Sequence, residues 1–472
     1  MNDVLVRELA WRTPEQSFSL FAKEDRLVWF DSQATGDPRG RYSMLCIDPF
    51  GVVEEQGGQV LRDGHVVSGN PFTVLQAILR SWPRVGTELP VPFGGGAAGF
   101  FGYGLANYLE RLPAPRAPGL DDVETPQQDM WIGLYDVVLG FDHGMARCWL
   151  MSSGLPEVEP AARLARARAR LDAFSRRVDV TPSSQPATPL PSVRWRPDLD
   201  PEAYAVRVAD ALALIRAGDI FQVNLTTRHV AQAPPDIDAA LIHMALRRES
   251  PAPFGAFLRC SRDLAIACVS PERFLCLDRH GRIETRPIKG TRPRHPDPTA
   301  DARARDELSG SEKDRAENLM IVDLMRNDLG RMAVQGSVHV GQLQQVESFA
   351  SVHHMVSSVD AQLRPEGDAI GLLRACFPGG SVTGAPKIRA MEIIHLLEPA
   401  SRGAYCGTIA WIGLDGAMDS NIVIRSLVIT GGQVIAQAGG AIVADSDPVE
   451  EHAEMLTKLA PLRAIFGKDI VA

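Results

Sequence analysis

The chain has 472 residues, 45% hydrophobic and 23% charged, with a formal net charge of −9. That composition describes a soluble globular chain with a sizeable core, built as two to four ordinary domains or one large two-lobed unit. The acidic balance argues against a nucleic-acid binder, and it leaves an anionic substrate dependent on local positive charge or a metal ion.

Residues 1–180 form an N-terminal region of short strands broken by turns, such as Leu27 to Phe30 and Ala146 to Met151. Pro156 to about Arg177 reads as an Ala/Arg-rich helix with a solvated basic face. Residues 181–194 read as a Pro/Ser/Thr-rich linker, and 195–466 as a second region in which helices and strands alternate. There, Asp200 caps a helix with Pro201 at its first position, and Ser311 to Leu329 is a long amphipathic helix. Asp219–Thr227, Leu264–Leu277, 404–412 and 420–437 read as strands.

The seven cysteines include no C-x-x-C pair, and Cys260, Cys268 and Cys276, eight apart, read as buried strand positions of a reduced protein. No apolar run reaches the roughly 18 residues of a membrane span, and the first residues lack a secretory apolar stretch. The expectation is a cytoplasmic protein without membrane or nucleic-acid partners.

Two glycine patterns mislead. Gly94 to Gly99 matches G-x-G-x-x-G, but no helix pattern follows, so a close-packed strand or turn is the better reading. Gly379 to Gly384 has P-loop spacing, but Ala385-Pro386 stands where Lys-Ser/Thr is needed. What remains is a glycine-rich loop feeding a helix, whose free N–H groups suit a carboxylate.

Other residues suggest chemistry. In Arg286-Pro287-Ile288-Lys289-Gly290-Thr291-Arg292, surrounding positive charge and desolvation would lower the lysine pKa toward a neutral nucleophile; the ordinary reading is a solvated basic loop. Glu317 and Asp328 share a helix face, while Glu450, Glu451 and Glu454 open the last helix. Carboxylates from separate helices suit magnesium, although early acidic residues also simply complement a helix dipole. Arg425 lies in an apolar strand pattern, where an inward arginine requires an anion. Its direction stays open, as does which of His353 and His354 points inward.

Taken together, these segments resemble the chorismate-utilising enzymes, the family of anthranilate synthase component I, aminodeoxychorismate synthase component I, isochorismate synthase and salicylate synthase. The resemblance rests on IFQVNLT (220–226), SPERF (270–274), TRPIKGTRPR (285–294), AENLMIVDLMRNDLG (316–330), VHHMVS (352–357), FPGGSVTGAPKIRAMEII (377–394), AYCGTI (404–409), IVIRSL (422–427) and AGGAIVADSDP (438–448). It implies an α/β (α+β) fold like that of anthranilate synthase component I, two antiparallel β-sheets packed as a sandwich with helices outside. It also implies a chorismate site with bound Mg2+. The metal carboxylates would be Glu317 and Glu454, with Glu451 as a further or water-mediated ligand. Substrate contacts would come from Gly290, Thr291, His354, Thr383, Gly384, Tyr405, Arg425 and the backbone of Gly439, Gly440 and Ala441, the last standing where relatives have glycine. Glu272 would be the general acid/base.

Two positions separate the branches. Members that add water carry a lysine base where this chain has Gln222. Anthranilate synthases have alanine where this chain has Lys289, and P-I-K-G-T is similar to the aminodeoxychorismate synthases. The resemblance therefore implies a transaminase-class synthase that converts chorismate and ammonia to 4-amino-4-deoxychorismate in 4-aminobenzoate and folate biosynthesis, through a covalent Lys289 intermediate. No glutaminase nucleophile elbow is apparent, so a separate glutamine amidotransferase subunit would supply ammonia. Asp31-Ser32 loosely resembles the family's tryptophan-binding segment. The rival readings are anthranilate synthase component I and a non-catalytic chorismate- or tryptophan-binding subunit.

Overall fold

The computed structural model describes residues 4–33, 38–113, 128–180, 189–233, 237–349 and 352–467. Among them the chain forms two antiparallel sheets of twelve strands each. The first runs Leu5–Leu9, Arg147–Ser152, Val137–Asp142, Tyr42–Cys46, Leu27–Asp31, Phe254–Arg259, Leu264–Ser270, Ser426–Thr430, Gln433–Ile442, Gln222–Gln232 and Arg196–Pro197, with Gly384–Ala385 pairing beside Gln222–Gln232. The second runs Ile288–Pro293, Val352–Gln362, Arg282–Thr285, Arg273–Leu277, Met418–Asn421, Thr408–Gly413, Gly96–Phe101, Gln128–Tyr135, Gly51–Gln56, Gln59–Arg62 and His65–Val67, with His339–Ser348 pairing beside Val352–Gln362.

Period-two alternation makes the sandwich. Val28, Met44, Ala256 and Cys268 of the first sheet pack with Ala98, Trp131 and Trp411 of the second in one core. Leu27, Trp29, Leu45 and Phe257 turn the other way, under the helices Pro14–Phe21, Pro160–Val178, Ala239–Glu249 and Pro448–Ala464. The second sheet's outer face carries Pro71–Arg80, Glu312–Gly330 and Ala369–Cys376, while Lys387–Leu397 packs against Gln222–Gln232 of the first sheet. Burying each large apolar side chain contributes about 1.5–3 kcal/mol. The expected helix starts hold: Asp200 accepts from the Ala203 amide and Ser311 from the Asp314 amide.

The 181–194 break divides the sequence and not the sheets. Leu27–Asp31 hydrogen-bonds along Phe254–Arg259, and Gly96–Phe101 along Thr408–Gly413, so both regions contribute strands to each sheet. Residues 181–188 of that linker lie outside the described residues. Gly96 is a close-packed strand glycine, since a Cβ there would come within 2.2 Å of the Ile412 carbonyl oxygen.

Three expectations are corrected. Leu264–Leu277 is not one strand: it ends at Ser270, and Arg273 starts again in the other sheet. Arg425 is not inside a strand: Met418–Asn421 and Ser426–Thr430 belong to different sheets, and Arg425 between them has φ +52°. Cys260 lies just past the strand Phe254–Arg259, while Cys268 and Cys276 are strand residues; all seven cysteines are free, and six are buried. Both breaks lie where the chain crosses between sheets, and it is these crossings that frame the candidate site.

Candidate active site

The lysine segment is the edge strand Ile288–Pro293. Its register against Val352–Gln362 slips: Ile288 pairs with Val356, but Thr291 pairs with His354. Two residues, Lys289 and Gly290, thus oppose one. Such a bulge bends its strand and re-aims a side chain. Gly290 makes it possible, with φ +83° and no room for a Cβ, which would come within 2.8 Å of Leu308 Cδ1 and 2.9 Å of Asp314 Cγ. The Lys289 amine reaches inward to the Ser381 carbonyl at 3.4 Å. Burial lowers its pKa, against the opposing pull of Glu317, Glu272 and Glu454, and Lys458 lowers it further. The solvated-loop alternative is thereby removed.

Glu272 occupies the crossing between the two sheets, just after Pro271. It is 5% exposed. Burial raises its pKa to about 7, although a hydrogen bond from Ser381, the charge of Lys289 and the Ile288 amide all favour the carboxylate. The same residues therefore hold both a carboxyl able to donate a proton near neutrality and an amine eased toward its neutral form.

Beyond the bulge, Thr291 Oγ1 lies 2.8 Å from His354 Nδ1. Burial pushes the His354 pKa down to about 4, and the Arg425 charge adds to that, so the ring is neutral. Both histidines are buried, contrary to the one-in expectation: His353 packs against Ser348 and Asp301 while His354 faces the site residues. Arg425 makes no ion pair among the described residues. Burial lowers its pKa, and buried Tyr405 is the group that favours its charge. A half-buried guanidinium with no ion pair leaves its planar donor fork available to an anion such as a carboxylate.

Two glycine-containing segments complete the wall. Thr383 is fully buried, its Oγ1 held by the Gly379 carbonyl at 3.1 Å and its own carbonyl bound by the Asn224 amide at 2.7 Å. Gly384 has φ +150°, and a Cβ there would come within 2.2 Å of the Gln222 carbonyl oxygen. Helix Lys387–Leu397 follows, with Pro386 as its cap residue. Gly439, Gly440 and Ala441 pair with Thr226, Leu225 and Asn224 on one edge. Their other edge lies beyond Ser426–Thr430, whose pairing with this strand reaches only Ala436, so the 439–441 backbone opens beside the Arg425 crossing. Ala441 is only partly buried.

The carboxylates approach from two helices. Glu317 projects from Glu312–Gly330, and burial raises its pKa, with Asp314 and Glu451 adding repulsion. Glu451 is raised by burial and by Glu454, and accepts from Ser446 Oγ at 2.6 Å. For Glu454, burial is outweighed by Lys458, Lys313 and Lys289, and its pKa falls. Lys458 bonds Glu454 at 2.7 Å and the Gly439 carbonyl at 2.8 Å. A Cβ on Gly440 would come within 2.9 Å of Glu451 Oε2, so glycine there lets the last helix's carboxylates close on the strand. No three His, Cys, Asp or Glu side chains among the described residues close on one metal position. The donor chemistry nevertheless suits a hard cation: carboxylates from two helices repel one another, and lysine ammonium groups supply the counter-charge.

Several participants escaped the sequence reading. The Ser381 carbonyl takes Lys289 Nζ and Asn224 Nδ2, each at 3.4 Å, and any residue could supply that oxygen. Lys458 had a signal, its i,i+4 spacing from Glu454. A buried pair, Arg402 with Glu398, ties the Val382 and Asn224 carbonyls and the Thr226 amide into one frame behind the Thr383–Gly384 loop. Asp31 is buried and engaged by His243, Arg247 and Gln33, and Ser32 Oγ donates to the Pro253 carbonyl, so the loosely matched tryptophan segment spends its polar atoms internally. No helix among the described residues is long and apolar enough to cross a membrane.

Residues 25–464 match the family described as chorismate binding enzyme. The chain is 42% identical over 459 residues to aminodeoxychorismate synthase component 1 of Salmonella typhimurium, covering 96% of each chain. It is 40% identical over 459 residues to the protein of that name from Escherichia coli, again with 96% of each covered. Among solved structures, it is similar to anthranilate synthase component I from Streptococcus pneumoniae, at 30% identity and TM-score 0.78, over 90% of this chain and 92% of that one.

Proposed function

The chain belongs to the chorismate binding enzyme family, and from that premise we propose that it converts chorismate and ammonia to 4-amino-4-deoxychorismate. The carrying observation is the bulged Lys289, its amine eased toward neutrality beside a carboxyl raised to about 7.

In the proposed first step the Lys289 amine adds to C2 of chorismate. The ring double bond shifts and the C4 hydroxyl leaves, protonated by Glu272 and released as water. In the second, the ammonia lone pair forms the C4–N bond. The double bond shifts back, the C2–N bond breaks, and its electron pair returns to Lys289, which is left neutral, while the proton shed by the new amine restores the Glu272 carboxyl. The net reaction exchanges hydroxyl for amine with no redox change. Arg425 and Tyr405 would hold the enolpyruvyl carboxylate, and neutral His354 with Thr291 the ring hydroxyl side. Glu317, Glu454 and Glu451 would hold Mg2+, which when bound neutralises the ring carboxylate and polarises the ring. A separate glutamine amidotransferase subunit would supply the ammonia, an assignment supported by the words "component 1" in the relatives' names.

Product analysis from chorismate, ammonium and magnesium tests the proposal. The expected product is 4-amino-4-deoxychorismate with its enolpyruvyl group intact. Anthranilate as the product would make the chain an anthranilate-type enzyme, and no turnover would favour a binding subunit.

A further inference from the structure

Glu398 caps the end of helix Lys387–Leu397, and Arg402 follows it in the next segment; both side chains are buried. All three guanidinium nitrogens are engaged. Two bond Glu398, Nε to Oε2 at 2.8 Å and Nη2 to Oε1 at 2.6 Å. Nη2 also donates to the Asn224 carbonyl at 2.7 Å, and Nη1 to the Val382 carbonyl at 2.8 Å. Glu398 Oε1 accepts in turn from the Thr226 amide at 2.9 Å and its hydroxyl at 2.8 Å. The Tyr103 ring, from the N-terminal region, covers the guanidinium's face at 4.6 Å. Burial disfavours the arginine's charge, but Glu398 outweighs it and the guanidinium stays charged.

A buried ion pair is a poor device for stability alone, because desolvating two charges offsets most of their attraction. What this pair holds is more specific. Val382 lies between Thr383 and Ser381, whose carbonyl receives Lys289 Nζ. Asn224 binds that Ser381 carbonyl through its side chain and the Thr383 carbonyl through its amide. One guanidinium thus draws the carbonyls of two segments to a single point, and both segments bear on the oxygen that anchors the lysine. Without that positive charge the two carbonyl dipoles repel, and the 381–383 backbone turns away. Resting on the reading under Proposed function, we propose that Arg402, locked by Glu398, is a positioning residue for the Lys289 step: it holds the Ser381 carbonyl where that oxygen aims the amine at C2. Its loss costs rate and spares affinity. Arg425 and the metal carboxylates stay in place, and the Arg402 carbonyl that accepts from the Tyr405 amide at 3.1 Å is kept in any variant.

The test is rapid-quench mass analysis of the Lys289 adduct formed from chorismate and magnesium without ammonia, on the double variant Glu398→Gln/Arg402→Met. These two changes remove both charges and keep an acceptor for Thr226. The adduct should reach the parent's stoichiometry about a hundredfold more slowly, with the chorismate Kd within about threefold. A merely structural role would lower the stoichiometry and leave the rate; that result, or a Kd that rises in step with the lost rate, overturns the proposal. Should the double variant not fold, Arg402→Lys decides. One ammonium cannot serve Glu398 and both carbonyls in a single plane, so the adduct should form about tenfold more slowly, and a parent-like rate overturns the proposal. A parent protein that forms no Lys289 adduct would instead remove the reading on which the proposal rests.

Discussion

Glu272 and Lys289 occupy one buried space, and each is moved away from its aqueous charge state: desolvation raises the carboxyl to about 7 and lowers the amine, while each charge favours that of the other. Neither shift needs a special residue type. Both follow from a strand that ends at Ser270 and resumes in the opposite sheet, and from a bulge that turns Lys289 toward that crossing.

Glu272→Gln removes the proton donor, and kcat should fall about 10²–10⁴-fold. In the parent, the arm of the pH–rate profile that requires a protonated Glu272 should fall above about 7. The carboxyl's contribution to stability falls over the same pH range. A carboxyl raised from 4.5 to about 7 contributes stability fully present below 4.5 and lost as pH rises through 7. At pH 8 the glutamine variant should therefore be more stable than the parent, by about 3 kcal/mol at most. Denaturant titrations at pH 4 and pH 8 check this, and a variant less stable at both would contradict it.

Gly290→Ala puts a side chain at φ +83° and presses it on Leu308 and Asp314. The expected cost is about 1–3 kcal/mol, together with loss of turnover because the bulge that aims Lys289 must shift. Thermal unfolding and product formation measure the two effects. A fully active, fully stable variant would show that the bulge is not required.

Arg425→Lys keeps a positive charge but loses the planar fork. If Arg425 receives a substrate carboxylate, the chorismate KM should rise about tenfold to a hundredfold, the range of a charge-assisted hydrogen bond. Arg425→Met should bind still more weakly while folding at least as stably, since burial already disfavours the arginine's charge. An unchanged chorismate KM in the lysine variant would take Arg425 out of the site.

Much of this was legible in the sequence, for reasons that differ by residue. The sandwich follows from alternation such as that of Val28 against Trp29 and from turn-bounded strands. Lys289, Glu272, Glu317 and Thr383 lie in segments whose side chains carry the resemblance. Arg425 was found, but its backbone was misread, because an apolar run hides a chain crossing from one sheet to the other. Burial of both His353 and His354 also broke the alternation rule, since helix Pro298–Gly310, which carries Asp301, covers the face that would otherwise meet water. The Ser381 carbonyl and the open edge of Gly439 to Ala441 were out of reach, because backbone groups leave no mark in the side-chain code.

The most direct experiment is peptide mass analysis after incubating the protein with chorismate and magnesium in the absence of ammonia. The Lys289 peptide should carry the mass of chorismate less one water and lose it when ammonium is added, as 4-amino-4-deoxychorismate appears. An unmodified Lys289 peptide, in a preparation that aminates chorismate at C4 once ammonium is supplied, would contradict the covalent role.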